Sequence, residues 1–330
     1  MSKFDKEYLT LCKKILTDGV NVSNRTGINT TKLPAYFFSF DLEEEFPILT
    51  TKQVFIRQAV LEMLWIYQVK SNDVRWLQDR NVHIWDKWMI DEDGIYRTYD
   101  NNNNIEVNPE KKVYIKNLDD KIMTDVLGNP VMTKGLDSKS EIIGAKYFGK
   151  NAAYTIGTAY GYIVNKMNLI DNLIDTLKNN PTDRRMIMSL WQNDYLKTAV
   201  LPSCVWSSEW DVTNGKLNAF VHQRSCDVPL GLPFNITQYA VLLHMLAQVT
   251  NLKPGTLSWS IKDAHIYDNQ INMIKEQIRR YDELGDFEAP EFWLNPDVKD
   301  FYQFDNSKEC KDVKIKNYKH RGKIDIPLTQ

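Results

Sequence analysis

Phe4, Tyr8, Leu11, Cys12 and Ile15 recur at three- and four-residue spacing near the start of the chain. That spacing lays one apolar stripe along an amphipathic helix, and Asp18-Gly19 marks its end. Leu33 to Phe40 is dense in aromatics and predicts a strand. Lys52 to Lys70 predicts a second helix. Val54, Phe55, Ile56, Ala59, Val60, Leu61, Met63, Leu64, Trp65, Ile66 and Val69 leave it apolar on nearly every side, so it must be buried on most of them.

From Met89 to about Thr158 the texture changes to Asp, Asn, Lys and Gly, with an Asn run from Asn101 to Asn104. This stretch is too long for a plain loop and reads as an inserted polar region with short hairpins of its own. Regular patterning then returns. Met167, Ile170, Leu173, Ile174 and Leu177 predict a helix stopping at Asn180-Pro181. Arg184 to Trp191 alternates as a strand. Val205–Val212 and Lys216–Val221 flank Asn214-Gly215, a strong hairpin signal. Ile236 to Thr250 predicts a helix apolar on most faces, Leu257 to Tyr267 a strand, and Ile271, Ile274 and Ile278 a further helix. Strands and helices mix without strict alternation, so the pattern predicts an α+β fold with a mixed sheet flanked by helices. No internal repeat is present.

Composition narrows the class. The chain has 330 residues, 43% of them apolar and 25% charged, which excludes a disordered protein. That length suits about two domains or one large one. We expect a single large domain over 1–330, with 89–158 inserted in it. Lys plus Arg is 41 against 43 Asp plus Glu, a net charge of −2. So even a balance argues against a nucleic-acid binder or a membrane-surface protein. No apolar run reaches the roughly 18 residues of a membrane span, and the N-terminus has no leader-like run. Cys12, Cys204, Cys226 and Cys310 are too sparse for a disulfide scaffold, so a cytoplasmic setting is expected. The five His lack paired metal-ligand spacing, and no metal is expected.

Several residues could carry chemistry. Cys204 follows a turn set by Pro202 and precedes a strand, where a thiol can face a cavity. A thiol titrates near about 8.5 and needs cationic neighbours to react at neutral pH. Arginines are well supplied: Arg25 in a Ser-Asn-Arg-Thr-Gly turn, Arg184-Arg185 entering a strand, and Arg224-Ser225 at the end of another. Taken singly each is ordinarily solvated or ion-paired. Together their guanidinium forks match a phosphate. Asn235 suits two roles, the N-cap of the helix that follows or an amide reading a planar base edge. His265 and Tyr267 share a strand face, as a packed pair or as hydroxyl-binding groups. Glu62 stands inside an apolar helix, where a carboxylate is costly unless it is paired or lines a wet cavity. It is a structural ion pair or a general acid–base group. Trp85 and Trp88 are core residues or a stacking wall.

Taken in order, these blocks resemble the folate-dependent thymidylate synthases. The likeness runs through Arg25-Thr26-Gly27, Glu62-Met63-Leu64-Trp65, Ile84-Trp85-Asp86-Lys87-Trp88, Ala159-Tyr160-Gly161, Arg184-Arg185, Leu201-Pro202-Ser203-Cys204, Gln223 to Asn235, and Asp263-Ala264-His265-Ile266-Tyr267. It covers most of the chain outside the insertion. The resemblance implies reductive methylation of deoxyuridine monophosphate, with methylenetetrahydrofolate as donor of carbon and hydride. Uracil C6 is a weak Michael acceptor, so the Cys204 thiolate adds there and makes C5 nucleophilic. Arg25, Arg184, Arg185, Arg224 and Ser225 would hold the phosphate, with Arg184 and Arg185 contributed by the second subunit of a homodimer. Arg224 would also lower the Cys204 pKa. Asn235 would read the uracil, and Gln223 and Asp227 would join it in the nucleotide site. His265 and Tyr267 would hold the sugar hydroxyl. Glu62 would organise proton transfers, with Tyr160 beside the C5 proton. Ile84, Trp85, Asp227, Leu230, Gly231 and Phe234 would line the folate site, and Lys52 would meet its anionic tail.

The chain departs from the family pattern at Ser203, Val205 and Phe55, and its C-terminus is Pro327-Leu328-Thr329-Gln330 where small apolar residues are usual. The nearest rival activity is a pyrimidine nucleotide hydroxymethylase. A deoxycytidylate enzyme would be expected to carry Asp in place of Asn235, so Asn235 favours uracil.

Overall fold

The computed structural model describes residues 2–100, 110–137 and 140–329. Strands β1 (Val20–Val22) and β2 (Thr30–Asp41) open the main sheet. Five strands of a smaller sheet follow: β3 (Ile95–Tyr99), β4 (Lys112–Lys116), β5 (Met132–Lys134), β6 (Leu136–Asp137) and β7 (Ser140–Tyr147). The main sheet resumes with β8 (Ile187–Ser189), β9 (Val205–Thr213), β10 (Lys216–Gln223), β11 (Cys226–Asp227) and β12 (Lys253–Tyr267). A last ribbon pairs β13 (Glu291–Leu294) with β14 (Val313–Lys316). The helices are α1 (Lys3–Asp18), α2 (Ile56–Tyr67), α3 (Arg75–Gln78), α4 (Gly161–Lys166), α5 (Leu169–Asn179), α6 (Gly231–Val249) and α7 (Ile271–Leu284).

The main sheet runs β1-β2-β12-β10-β9-β8, with β11 beside β12. β12 pairs in parallel with β10 and β11, and every other neighbour is antiparallel, so the sheet is mixed as expected. Its inner face carries Phe38, Phe40, Val221 and Trp259 against α1 and α6. α2 packs on α6 in turn, and both bury nearly every side chain, as their unbroken apolar texture demands. The outer face leaves Phe37, Ile187, Trp206 and Phe220 exposed.

The hairpin is where Asn214-Gly215 puts it. Both turn residues have positive φ, 52° and 74°, the conformation that Asn-Gly adopts most readily. Towards its open end the register shifts between His222 and Gln223, which brings Val205 opposite Gln223 and leaves Trp206 without a partner. Cys204 and Arg224 therefore emerge side by side, and the Arg224 N–H donates to the Cys204 carbonyl at 2.9 Å.

Four elements differ from the pattern-based expectation. α2 is shorter than 52–70. The buried Asp5 carboxylate accepts from the N–H and hydroxyl of both Thr50 and Thr51, which holds the approach in a turn, while Lys70 ends it with φ 54°. The stripe around Met167 is two helices, broken at Asn168 with φ 50°. The strand expected over 184–191 shrinks to β8, because Asp183 accepts from the Arg185 N–H and holds a turn there. α6 begins at Gly231 rather than Ile236, so Asn235 lies inside the helix and is not its N-cap.

Candidate active site

The open end of the β9–β10 hairpin, the start of α6, the middle of α2 and the Tyr160-Gly161 corner surround an inner cavity of about 180 Å³. Cys204, Ser225 and Asp227 reach it from the sheet side, Gln223, Asn235 and Gln238 from the floor, and Glu62, Trp85 and Tyr160 from the helical side. It opens into an outer cleft of about 400 Å³. Trp85, Glu62, Gly231 and Asn235 belong to both. Ile84, Trp88, Leu230 and Phe234 wall the outer cleft, Lys52 stands at one end, and Ile324, Ile326 and Leu328 of the C-terminal tail cover another side.

Cys204 carries a free thiol. Arg224 is clamped around the turn before it: Nε donates to the Ser203 carbonyl at 3.0 Å and Nη2 to the Pro202 carbonyl at 2.6 Å. This leaves Nη2 3.9 Å from Cys204 Sγ. Burial pushes the thiol pKa up, whereas the charges of Arg224 and Arg25 and a hydrogen bond from Tyr160 pull it down; burial is the larger effect. The expected lowering by Arg224 is thus present but outweighed in the ligand-free protein. The Tyr160 hydroxyl accepts from the Cys204 N–H at 3.0 Å, so its own proton is directed elsewhere. Tyr160 has φ 47°, a strained value for a residue with a β-carbon. The next residue is constrained as well: a Cβ on Gly161 would lie 2.0 Å from the Ser71 carbonyl oxygen, so only glycine admits this approach.

Glu62 is half-buried as a residue, but its carboxyl group is enclosed, and burial pushes its pKa up to about 7. Trp85 Nε1 donates to Oε1 at 2.6 Å and Gln238 Nε2 donates to Oε2. Both donors are neutral, so among the described residues the ion-pair reading of Glu62 has no cation to support it. Trp85 is buried and stacks edge-on with Trp88 and Tyr160, at 5.5 and 5.3 Å between ring centroids.

Asn235 is held in a directional chain. Trp259 Nε1, which can only donate, bonds Gln223 Oε1 at 3.0 Å. Gln223 Nε2 then donates to Asn235 Oδ1 at 3.1 Å, and Asn235 Nδ2 to Gln238 Oε1 at 3.4 Å. His265 and Tyr267 sit together, with ring centroids 5.1 Å apart, at the end of β12. Asp227 is bonded to the Leu230 N–H through Oδ1 and to Gln270 Nε2 through Oδ2.

Arg25, Arg184 and Arg185 line neither cavity, and Lys52, which borders the outer one, turns its ammonium group to the chain. Lys52 is buried with Nζ on the Pro229 carbonyl, and burial lowers its pKa to about 8. Arg25 is exposed, though its charge is felt at Cys204 and Tyr267. Arg184 and Arg185 are exposed at the start of β8, and Arg185 pairs with Asp183 of its own chain at 2.8 Å. Sequence reasoning missed Gln238 and Gln270. Gln238 carried a signal, being a polar residue in an otherwise apolar helix. Among the described residues no group of acidic, His and Cys side chains could hold a metal, and no helix is long and apolar enough to cross a membrane.

A family model described as thymidylate synthase matches residues 6–330. The chain is 41% identical to the thymidylate synthase of Clostridium beijerinckii over the full length of both. It is 36% identical to thymidylate synthase 1 of Bacillus subtilis strain 168, covering 98% of each chain. Among solved structures, thermostable thymidylate synthase A from Bacillus subtilis superposes with a TM-score of 0.73 and 34% identity, covering 99% of each chain.

Proposed function

The chain belongs to the thymidylate synthase family and is a methyltransferase, and on that premise we propose that it methylates deoxyuridine monophosphate through a covalent bond from Cys204 to uracil C6. The hydroxymethylase alternative is not favoured by these relatives. The observation that carries the reading is the Cys204 thiol at the mouth of an inner cavity, 3.9 Å from Arg224 Nη2 and facing Asn235 and Glu62.

A nucleotide phosphate brought to Arg224, Arg25 and Ser225 brings the base over Cys204. The Arg224 charge stabilises the thiolate, which adds at C6 and moves the ring electrons towards C5 and O4. Asn235 donates Nδ2 to uracil O4 and accepts the N3 proton at Oδ1, the orientation its hydrogen-bond chain favours. His265 and Tyr267 hold the sugar hydroxyl.

The outer cleft fits a folate. Its indole and phenyl walls suit a flat ring, and Asp227 of the adjoining inner cavity offers an acceptor for ring N–H groups. When bound, methylenetetrahydrofolate supplies a one-carbon unit and the hydride that completes the methyl group. Glu62, with a pKa near 7, takes and returns protons around the base. Tyr160, whose oxygen already accepts from the Cys204 N–H, stands beside C5 as that carbon loses its proton. The thiolate is expelled as the product double bond forms. Lys52 meets the folate tail once it turns outward from Pro229.

The active unit is a homodimer in the cytoplasm, with residues 1–330 as one catalytic domain and 89–158 inserted into it. Support for the dimer is the outer sheet face, where Phe37, at 55% exposure, and Phe220 meet edge-to-face beside Trp206 and Ile187. Arg184 and Arg185 border this face and would reach the phosphate of the opposite subunit. The decisive experiment incubates the protein with 5-fluorodeoxyuridine monophosphate and methylenetetrahydrofolate, followed by peptide mass spectrometry. A ternary adduct on Cys204 is expected; its absence would remove the covalent mechanism.

A further inference from the structure

The tail segment Pro327-Leu328-Thr329 carries a polar residue, Thr329, that is nevertheless buried. Something polar must hold it. Residues 320–322 first run along the loop that carries Lys52: the Arg321 N–H donates to the Thr50 carbonyl and the Gln53 N–H to the Gly322 carbonyl, at 2.8 and 2.9 Å. Ile324, Ile326 and Leu328 then cover the outer cleft. At its end the tail meets Gln270, a side chain with 0% exposure.

The three hydrogen bonds of that amide lead to three different segments. Nε2 donates to Asp227 Oδ2 at 2.9 Å and to the Pro327 carbonyl at 3.1 Å. Oε1 accepts from the Tyr267 N–H at 3.2 Å. The adjacent Asn269 donates to Thr329 Oγ1 at 3.5 Å. A primary amide has two donors and an acceptor in one plane, and these contacts use all three.

We propose that Gln270 is a positioning residue that couples the seating of the C-terminal tail to the orientation of the Asp227 carboxylate, so that the tail and the acid facing the folate ring are set together. The proposal rests on the reading of the outer cleft as the folate site. Released from Pro327, the amide would lose one of two anchors on its donor nitrogen, and Asp227 would lose the group that fixes Oδ2. An ordered tail therefore gives an Asp227 that is pre-oriented for folate N–H groups. Of the nucleotide pocket, only the Tyr267 N–H is bonded to Gln270, while Arg224 and Asn235, which face the phosphate and the base, are held by other groups.

The test is a cycle of Gln270→Leu, a chain lacking residues 327–330, and the two combined, with steady-state kinetics and direct nucleotide binding on each. Gln270→Leu is expected to raise the folate KM about tenfold, with the deoxyuridine monophosphate Kd unchanged within twofold. The truncation should do the same, and the double variant should be no worse than the truncation alone. Independent, multiplying effects, an unchanged folate KM in Gln270→Leu, or an equal rise in nucleotide Kd would each overturn the coupling. Should Gln270→Leu fail to fold, Thr329→Val tests the same latch from the tail and should raise the folate KM about threefold. An unchanged folate KM in that variant would overturn the latch. Wild-type adduct formation with the 5-fluoro analogue separates the cases: without it the functional reading falls, whereas with it and a wild-type-like Gln270→Leu only the coupling falls.

Discussion

Trp85 Nε1 points at Glu62 Oε1 from 2.6 Å away, and this neutral donor, with Gln238, serves the carboxylate in place of a cation. Burial raises the acid's pKa to about 7, against an ordinary value of 4.5, and the two neutral donors offset only part of that rise. Between these limits the folded protein keeps a proton that the unfolded chain has released, so stability falls as pH rises through the window. The full effect is on the order of 3 kcal/mol. Urea midpoints measured at pH 4.5 and pH 8 should differ less in Glu62→Gln than in the wild type. The same variant should lose about 100- to 10,000-fold in kcat, because a carboxamide cannot cycle a proton. An undiminished pH slope in the variant would assign the slope to another group.

Asn235 is oriented from Trp259 through Gln223, and it passes the same polarity to Gln238. A donor towards position 4 and an acceptor towards position 3 is the pattern of uracil, and cytosine presents the reverse. Asn235→Asp removes the donor and can offer a protonated oxygen to N3. We expect deoxycytidylate to become a competing substrate, its preference ratio against deoxyuridylate shifting by at least about tenfold. Competition assays with both nucleotides measure this, and an unshifted ratio would end the base-reading role.

Cys204→Ala should abolish methyl transfer. The Arg224 clamp holds backbone carbonyls rather than the sulfur, so the phosphate site should survive. Calorimetric titration is expected to give a nucleotide Kd within a few-fold of wild type. Retained turnover would exclude a covalent role for the sulfur.

Arg184 and Arg185 are exposed and line neither cavity of their own chain. If they complete the opposite subunit's site, Cys204→Ala mixed with Arg184→Ala/Arg185→Ala should recover activity that neither shows alone. Random reassortment leaves one intact site in half of the dimers, about a quarter of wild-type activity. No recovery after subunit exchange would place the arginines elsewhere.

The regular elements were legible because each has one dominant local signal: the period of α1, the all-round apolarity of α2 and α6, the Asn-Gly turn. The boundaries that moved were decided by side-chain contacts and backbone turns that the hydrophobic period does not show. Asp5 reaches across the chain to hold Thr50 and Thr51 in a turn and so delays the start of α2, and Pro233 lies in the first turn of α6, where its missing N–H costs little. Cys204, Glu62 and Asn235 stood out as residues unlike their surroundings. Gln238 stood out only as a polar residue in an apolar helix, and Gln270 did not stand out at all, since a glutamine beside a helix is ordinary until the fold shows what it touches. The direction of each amide in the Trp259 chain likewise exists only once strands and helix are assembled.

The Asn214–Gly215 corner belongs to neither cavity, yet the meeting of sulfur and guanidinium depends on it. Cys204 and Arg224 ride at the far ends of two legs of about ten residues each, roughly 33 Å of extended chain. Losing a single residue from either leg would slide one past the other by about 3.3 Å and swing alternate side chains to the opposite side of the sheet. The two groups would part, and buried side chains such as Trp210 and Val221 would lose their places in the core. A chemically idle stretch of surface ribbon thus acts as the ruler of this enzyme, and deletions there should be heritable only as losses of function.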